Sequence, residues 1–345
     1  MPDLTNAAWA GPVLGILCGI VFGVVLQRGR ICFNSAFRDL RMSHDNFMFK
    51  AGLLTIAIMA IGHVALAQFG LIKMAPPGIS FAAMAIGGLC FGMGMVLAGG
   101  CASGTTYRIG EGFTTSILAG LTYGLFAIAT QRGFLSPITK ALSGTWTMVP
   151  NPDPALYAGE KIGPTIATAL GISPWIAAIA FAALICVYLF ATKTTKREGA
   201  NMKWWAISIA LSLVALLTYV VSTWTGRNYG LGITAGWNNF LTTIMDVESK
   251  INFAGGIVIG VIIGAFIAAV ATKEFKIRAP KQGKYYLYAV LGGILMGFGA
   301  TLAKGCNIGH FITGNGLMSL GSLFASVMFI IGNWIMVRIL FGKAE

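Results

Sequence analysis

Charge is scarce in this sequence. Only 10% of the 345 residues are Asp, Glu, Lys or Arg, whereas 56% are hydrophobic, and the mean hydropathy is +0.78. These values exclude an ordinary soluble domain and are typical of a helical protein that crosses the lipid bilayer several times. Carboxylates are especially few, with 11 Asp and Glu in total. The apolar runs contain almost none of them, so strict proton coupling is not evident from the sequence.

Patterns for metals, disulfides and catalysis are also missing. The chain has six cysteines without a CxxC pair and only three histidines, which gives no zinc or iron–sulfur spacing. No nucleophile–base pair, nucleotide-binding loop or nucleic-acid motif is present. We therefore predict a protein that is not an enzyme, with no metal, no cofactor and no nucleic-acid partner. Cys18, Cys90 and Cys186 lie inside apolar runs, where cysteine usually acts as a small hydrophobic residue.

The apolar runs predict about nine transmembrane helices within a single integral membrane domain, residues 1–345. The runs are continuous and roughly 20 residues long rather than alternating, which favours helices over a β-barrel. No cleavable signal pattern precedes the first run. The predicted spans are 11–27, 50–70, 81–98, 113–131, 174–192, 203–223, 254–272, 286–303 and 318–341.

The distribution of positive charge predicts the orientation of the chain. If the N-terminus lies outside, the odd-numbered loops and the C-terminus contain 17 of the 24 Lys and Arg residues. Basic loops stay in the cytoplasm. We therefore predict an outside N-terminus and a cytoplasmic C-terminus, and we interpret the net charge of +13 mostly as a topology signal rather than as a nucleic-acid surface.

A segment with a glycine–cysteine pair occurs twice. Residues 85–104 read AIGGLCFGMGMVLAGGCASG and residues 290–309 read VLGGILMGFGATLAKGCNIG. Nine residues recur without a gap, among them Gly100, Cys101 and Gly104 as Gly305, Cys306 and Gly309. Duplicated segments that glycine interrupts point to the substrate site of a transporter.

A fainter repeat relates GRICF (29–33) to GRNYG (226–230), so that Arg30 matches Arg227 and Cys32 matches Tyr229. The chain then divides into a first half, 1–132, a loop with a connector helix, 133–202, and a second half, 203–345. One connector span makes the repeat inverted. Short segments follow the four loops and are interpreted as re-entrant or interfacial pieces: 33–47, 102–110, 231–245 and 307–316.

Residues 133–173 form the longest insertion between predicted spans and contain five prolines. This segment is either an extracytoplasmic cap or a surface loop that the fold tolerates.

The cysteine loops have the chemistry of a site for an anion with a soft atom. Glycines let the backbone turn and expose N–H groups, and a half-helix that starts after each cysteine adds a positive dipole end. A thiol beside it donates weakly to a polarisable acceptor. The candidate substrate-binding residues are Cys32, Cys101, Cys306, Gly100, Gly104, Gly305, Gly309, Arg30, Lys304 and His310.

Two further residues have competing interpretations. His310 is either a proton relay or, more commonly for a lone histidine in a membrane loop, a structural hydrogen-bonding group. Glu111 is either a carboxylate near the substrate path or the ion-pair partner of Arg108, and we favour the ion pair. The loop order places Cys32 and Cys101 towards the cytoplasm and Cys306 towards the outside.

Four motifs closely resemble the YeeE/YedE family, in particular its thiosulfate-uptake branch: GRICFNSAFRD (29–39), LAGGCASGTTYRIGEG (97–112), GRNYGLGITAGW (226–237) and KGCNIGHFITG (304–314). The resemblance implies an hourglass-shaped protein of the bacterial inner membrane. It further implies that thiosulfate passes the functional cysteines, here Cys32, Cys101 and Cys306, through S–H···S contacts without a lasting covalent adduct. A small cytoplasmic sulfur carrier of the TusA type (TsuB) is the implied partner.

Thiosulfate combines a hard sulfonate end with a soft terminal sulfur, which suits amides and cations at one end and cysteine at the other. Two alternatives to thiosulfate import remain. One is a membrane-embedded sulfurtransferase whose cysteines become persulfides, and the other is a transporter for a selenium species or another sulfur species.

Overall fold

The computed structural model describes residues 4–5, 7–144, 146–195, 197, 201–246 and 248–342. Both chain ends, whose sides of the membrane we predict, lie outside these ranges. The helices are α1 Ala10–Gly29, α2 Phe33–Met42, α3 Phe47–Gln68, α4 Phe81–Leu97, α5 Ala102–Gly110, α6 Thr114–Gln131, α7 Ser136–Ser143, α8 Ile166–Leu170, α9 Pro174–Ala191, α10 Trp204–Trp224, α11 Thr234–Met245, α12 Phe253–Ala271, α13 Lys284–Leu302, the π-helix Ile308–Gly314 and α14 Leu320–Phe341. Strands β1, Val149–Pro150, and β2, Lys161–Ile162, pair antiparallel.

The prediction of an all-α polytopic membrane protein is confirmed. Within the described ranges, eight helical segments are long and apolar enough to cross a membrane: α1 with α2, α3, α4 with α5, α9, α10, α12, α13 and α14. The sequence predicts nine spans, and the ninth is α6. This helix has 18 residues, but its Thr, Tyr and Gln side chains make it less apolar than the other eight, so it is not among them.

The four short segments predicted after the loops are all helical. Helices α2, α5, α11 and the π-helix contain 10, 9, 12 and 7 residues. At about 1.5 Å per residue, none of them is long enough to cross a bilayer. Two of them start directly after a cysteine, since Cys32 is the N-cap of α2 and Cys101 is the N-cap of α5.

The duplicated helices α4 and α13 cross each other at glycines. A Cβ on Gly87 would lie 2.7 Å from the Gly299 carbonyl oxygen, and a Cβ on Gly94 would lie 2.8 Å from that of Gly292. The two helices therefore run antiparallel. Gly87 and Gly94 are the repeat equivalents of Gly292 and Gly299, so each partner uses the same surface, as at a two-fold axis. Such an antiparallel pair of equivalent helices is the packing that an inverted repeat predicts.

Packing around this crossing is also reciprocal. The next duplicated glycines pack on the last helix of the opposite half: Gly88 and Gly92 approach α14, and Gly293 and Gly297 approach α6. Likewise α1 packs along α12, and its equivalent α10 packs along α3. Small residues allow this close approach of helix backbones in a membrane, where packing rather than the hydrophobic effect holds helices together.

The insertion 133–173 lies against the loops at one end of the helices. Its segments are joined by backbone hydrogen bonds to the loop between α3 and α4, from Met74 N–H to the Leu156 carbonyl at 2.8 Å and from Thr147 N–H to the Ile79 carbonyl at 2.7 Å. A further bridge joins Thr165 to Ser319. The insertion is thus anchored to the helical body rather than being a free loop.

Candidate functional site

Cys101 lies where α4 ends and α5 begins. Helix α4 ends at Leu97. The chain then turns at Gly99, whose φ of +70° suits a residue without Cβ. The Gly100 N–H donates to the Met95 carbonyl at 3.0 Å. The Cys101 Sγ accepts from the Gly104 N–H at 3.4 Å and lies 3.4 Å from the Ser103 hydroxyl. The thiol thus caps the first turn of α5, the position that sequence reasoning expects to attract negative charge.

The Cys32 and Cys101 thiols form a buried pair. Their Sγ atoms are 3.9 Å apart, and the two residues are 1% and 0% exposed. Gly104 makes this approach possible, because a Cβ at that position would lie 2.7 Å from the Cys32 Sγ. Two helix N-termini, those of α2 and α5, therefore meet at one pair of sulfur atoms.

Cys306 occupies the equivalent turn of the second half. Here Lys304 takes the place of Gly99 with a φ of +64°, and the Gly305 N–H donates to the Ala300 carbonyl at 2.7 Å. The Cys306 carbonyl accepts from the His310 N–H at 2.8 Å. This hydrogen bond lies in the first turn of the π-helix. Its side chain is also buried, at 1% exposure. Hydrogen bonds among the described residues include none to the Cys306 thiol.

Contacts across α4 join the two cysteine loops. The Asn307 Nδ2 donates to the Met95 Sδ at 2.8 Å, and the Met95 carbonyl accepts from Gly100. The Tyr123 phenol donates to the Thr234 hydroxyl at 2.7 Å. The loops thus lie on two sides of one buried region.

The four candidate glycines differ in what they do. Gly100 and Gly305 use their N–H groups to close the ends of α4 and α13, so they shape the turn and do not offer those groups to an anion. Gly104 makes room for Cys32. Gly309 carries a carbonyl that accepts from the Tyr229 hydroxyl at 3.0 Å.

His310 is fixed through both ring nitrogens. Its Nε2 lies 2.9 Å from the Ala303 carbonyl oxygen, which only accepts, so Nε2 donates. The Nδ1 then accepts from the Ser322 hydroxyl at 2.9 Å. The ring is fully buried and ties the Cys306 loop to the end of α13 and to α14, which matches the structural interpretation of this histidine.

The two candidate cations lie at opposite ends of the helices. Arg30 follows α1, and its Nη2 lies 3.3 Å from the Glu274 Oε1. Lys304 stacks on the insertion, with its Nζ 3.7 Å from the centre of the Trp146 ring. The structure thus brings Cys32, Cys101 and Gly104 together, but it keeps Arg30 and Lys304 apart.

A cavity of about 320 Å³ opens at the end of α1. We call it the Arg30 cavity, and it is lined by Arg30, Ser35, Tyr107, Arg108, Glu111 and Arg197, among others. A second cavity of about 310 Å³ lies at the other end of α1. It contains Arg227, the repeat equivalent of Arg30.

Arg108 is a candidate that sequence reasoning left out of the site. Its guanidinium donates to the Gly99 carbonyl at 2.6 Å and lies over the rings of Tyr107 and Phe113. No carboxylate of the described chain is within ion-pair distance of it. The sequence signal for it is the RIGEG motif (108–112) at the end of α5, in which we predict that the arginine pairs with Glu111.

That predicted ion pair between Arg108 and Glu111 does not form. Instead, the Glu111 Oε1 accepts from the Gln27 Nε2 at 3.3 Å, and the same Nε2 donates to the Glu274 Oε2 at 2.6 Å. Gln27 reaches Glu111 because α1 packs against α5, a contact that spacing along the chain does not reveal. Burial raises the pKa of the Glu111 carboxyl despite this hydrogen bond.

The donor set around the site does not favour a metal ion. In the described ranges, no three His, Cys, Asp or Glu residues form a group that would hold one. The site instead combines thiols, helix N-termini and guanidinium groups, which together suit an anion with one polarisable atom.

Comparison with known proteins agrees with this geometry. Residues 28–335 match the family described as sulphur transport. The chain is 48% identical to the thiosulfate transporter TsuA of Spirochaeta thermophila, over 95% of this chain and 99% of the relative. It is 34% identical to the thiosulfate transporter TsuA of Escherichia coli K12, over 93% and 92%. It is also 46% identical to the probable transporter YedE of Salmonella typhimurium, over 29% and 24%.

Proposed function

This chain belongs to the sulphur-transport family, and we propose that it imports thiosulfate across the bacterial inner membrane. Its full-length similarity to two thiosulfate transporters supports the substrate. The single structural observation that carries the mechanism is the buried Cys32–Cys101 pair, with 3.9 Å between the Sγ atoms, at the N-termini of two short helices.

The proposed route begins at the second cavity, which contains Arg227, and ends at the Arg30 cavity. It passes Cys306 first and then Cys101 and Cys32. At each thiol an S–H group donates to the terminal sulfur of thiosulfate. In the absence of substrate, the Cys32 S–H donates to the Cys101 Sγ, so an arriving thiosulfate sulfur replaces a thiol partner that is also polarisable. No covalent bond forms in this scheme.

The other candidate residues support these contacts. Arg30 attracts the sulfonate at one end, and Lys304 does so at the other. Free backbone N–H groups in the first turn of α5 bind the oxygen atoms of the sulfonate. Gly100 and Gly305 turn the chain into the loops, Gly104 and Gly309 keep the loops open to a neighbouring side chain, and His310 holds the Cys306 loop in place.

All three functional cysteines are nearly inaccessible, so the structure corresponds to a closed state. Passage requires the short helices α2, α5, α11 or the π-helix to move. Because these helices cross only part of the membrane and end in loops, they can shift without moving a complete membrane span.

Removal of the product drives the import that we propose. Moving a dianion inward against about 100 mV costs roughly 4.6 kcal/mol, at about 2.3 kcal/mol per charge. A TusA-like sulfur carrier (TsuB) that takes thiosulfate from the cytoplasmic face would keep its concentration low and offset this cost. In this orientation the N-terminus is periplasmic and the C-terminus is cytoplasmic.

Uptake of labelled thiosulfate into proteoliposomes, with and without an imposed potential, tests this proposal. Cys101→Ala and Cys306→Ala should abolish uptake, whereas Cys186→Ala, a lipid-side control, should retain it. Excess sulfate should compete weakly, because it lacks the soft sulfur. A persulfide on Cys101 or Cys306 after turnover, detected by mass spectrometry, would favour the sulfurtransferase instead, and stronger competition by a selenium oxyanion would reassign the substrate.

A further inference from the structure

Among the described residues that line the Arg30 cavity, Glu111 is the only carboxylate, and it is nearly buried, at 4% exposure. An ionised carboxylate in such a place needs compensation by cations and hydrogen bonds. The charged and titratable groups that face it come from three elements. Arg30 follows α1, Tyr107 and Arg108 belong to α5, and Glu274, Lys276 and Arg278 follow α12.

The direct partner of Glu111 is an amide rather than a cation. Gln27 is fully buried and donates from one nitrogen to both Glu111 and Glu274. Its other polar atom, Oε1, is buried without a hydrogen-bond partner. A buried amide oxygen without a donor costs free energy, which an O–H group on Glu111 would remove.

The Glu111–Gln27 pair can thus form a hydrogen bond in each protonation state of Glu111. When Glu111 is ionised, it accepts from the Gln27 Nε2, as in the structure. When Glu111 is protonated, its O–H donates to the Gln27 Oε1 after the amide rotates. Glu274 loses the amide in that rotation but keeps its ion pair with Arg30, at 3.3 Å.

An anion in the cavity would compete with Glu111 for the same positive charge. Arg108 has no ion-pair partner in the part of the chain that the structure describes, and Arg30 lies at the mouth of the cavity. A dianion near these guanidinium groups cancels the field that keeps Glu111 ionised. Protonation of Glu111 in turn removes a negative charge that repels the dianion.

We propose that the Arg30 cavity binds thiosulfate together with one proton, and that Glu111 is the residue that takes up this proton. The inference rests on the proposed function, because it places thiosulfate in this cavity. The step is a simple protonation of the carboxylate by water-borne H⁺. By linkage, the proton raises the affinity for the anion by the same factor as the anion raises the affinity for the proton.

Calorimetric titration of the purified full chain with thiosulfate tests the inference. Repeating it in buffers of different ionisation enthalpy gives the number of protons taken up. The wild type should take up as much as one proton per thiosulfate, and its Kd should rise with pH, by up to about tenfold per unit, once the pH exceeds the raised pKa of Glu111 in the free protein. Glu111→Gln should bind thiosulfate with no proton uptake and with a Kd that does not change with pH. The control Glu274→Gln should keep the uptake.

Difference infrared spectroscopy of the wild type gives a second measurement that needs no variant to fold. Addition of thiosulfate should produce the band of a protonated carboxyl group. Thiosulfate binding without proton uptake, or uptake that persists in Glu111→Gln, would overturn the inference and leave the transport function intact. Absence of any thiosulfate binding and uptake by the wild type would refute the proposed function and this inference with it.

Discussion

Gly104 lies directly against the thiol of Cys32, which belongs to a different helix 72 positions earlier in the chain. A Cβ on Gly104 would come within 2.7 Å of the Cys32 Sγ and within 3.4 Å of the Cys101 Sγ. This glycine has an ordinary helical backbone, so space rather than conformation requires it. The spacing of the two thiols therefore depends on a residue that carries no side chain.

Gly104→Ala should reduce thiosulfate uptake at least tenfold, because the added methyl group must push the Cys32 sulfur away from Cys101. The measurement is initial uptake in proteoliposomes at matched protein content. Gly283→Ala is the control, since a Cβ there meets nothing within 4 Å. Full uptake by Gly104→Ala would show that the sulfur spacing is not important.

A mild oxidant should join Cys32 and Cys101 in a disulfide and stop uptake. The two sulfur atoms start 3.9 Å apart and need only a small shift to bond. A reductant should restore uptake. Peptide mapping identifies the bond, and Cys101→Ser should prevent it. Oxidative inhibition of the wild type without a Cys32–Cys101 bond in the peptide map would mean that the oxidant acts at another place.

The six cysteines should divide into two classes of three. Cys18, Cys90 and Cys186 are only partly buried on helix faces, so Ala at each should change uptake less than about twofold, as usual for substitutions away from a packed core. Ser at Cys101 or Cys306 keeps a donor but loses the soft sulfur, and it should restore little of the uptake that Ala abolishes. If both Ser variants take up thiosulfate as fast as the wild type, the cysteine sulfur atoms do not recognise the terminal sulfur of thiosulfate.

His310→Phe should lower the free energy of unfolding by about 1–3 kcal/mol, because it leaves the buried Ala303 carbonyl without a donor. Thermal denaturation in detergent measures the change, and His44→Asn, at an exposed position, is the control. His310→Gln should leave the pH profile of uptake unchanged. A flattened profile in that variant would indicate a proton relay and contradict the structural role.

The sequence predicts the fold better than it predicts the contacts at the site. Continuous apolar runs place the long helices, and the duplicated GC segment predicts both the short helices and the reciprocal packing of α4 with α13. The match between Cys32 and Tyr229 does not predict how near Cys32 lies to Cys101, since that distance depends on how the N-termini of α2 and α5 approach each other in the fold. For the same reason, Glu111 was assigned to its neighbour Arg108, whereas its hydrogen bond comes from Gln27 on α1.

The glycine crossing of α4 and α13 has a mechanical consequence. Four residues without side chains bring the two backbones into direct contact, and closely packed helices resist sliding because every shift costs many contacts at once. We therefore expect that the two halves do not rock about each other as rigid bodies. The short helices on either side of the crossing are then the parts that move during transport.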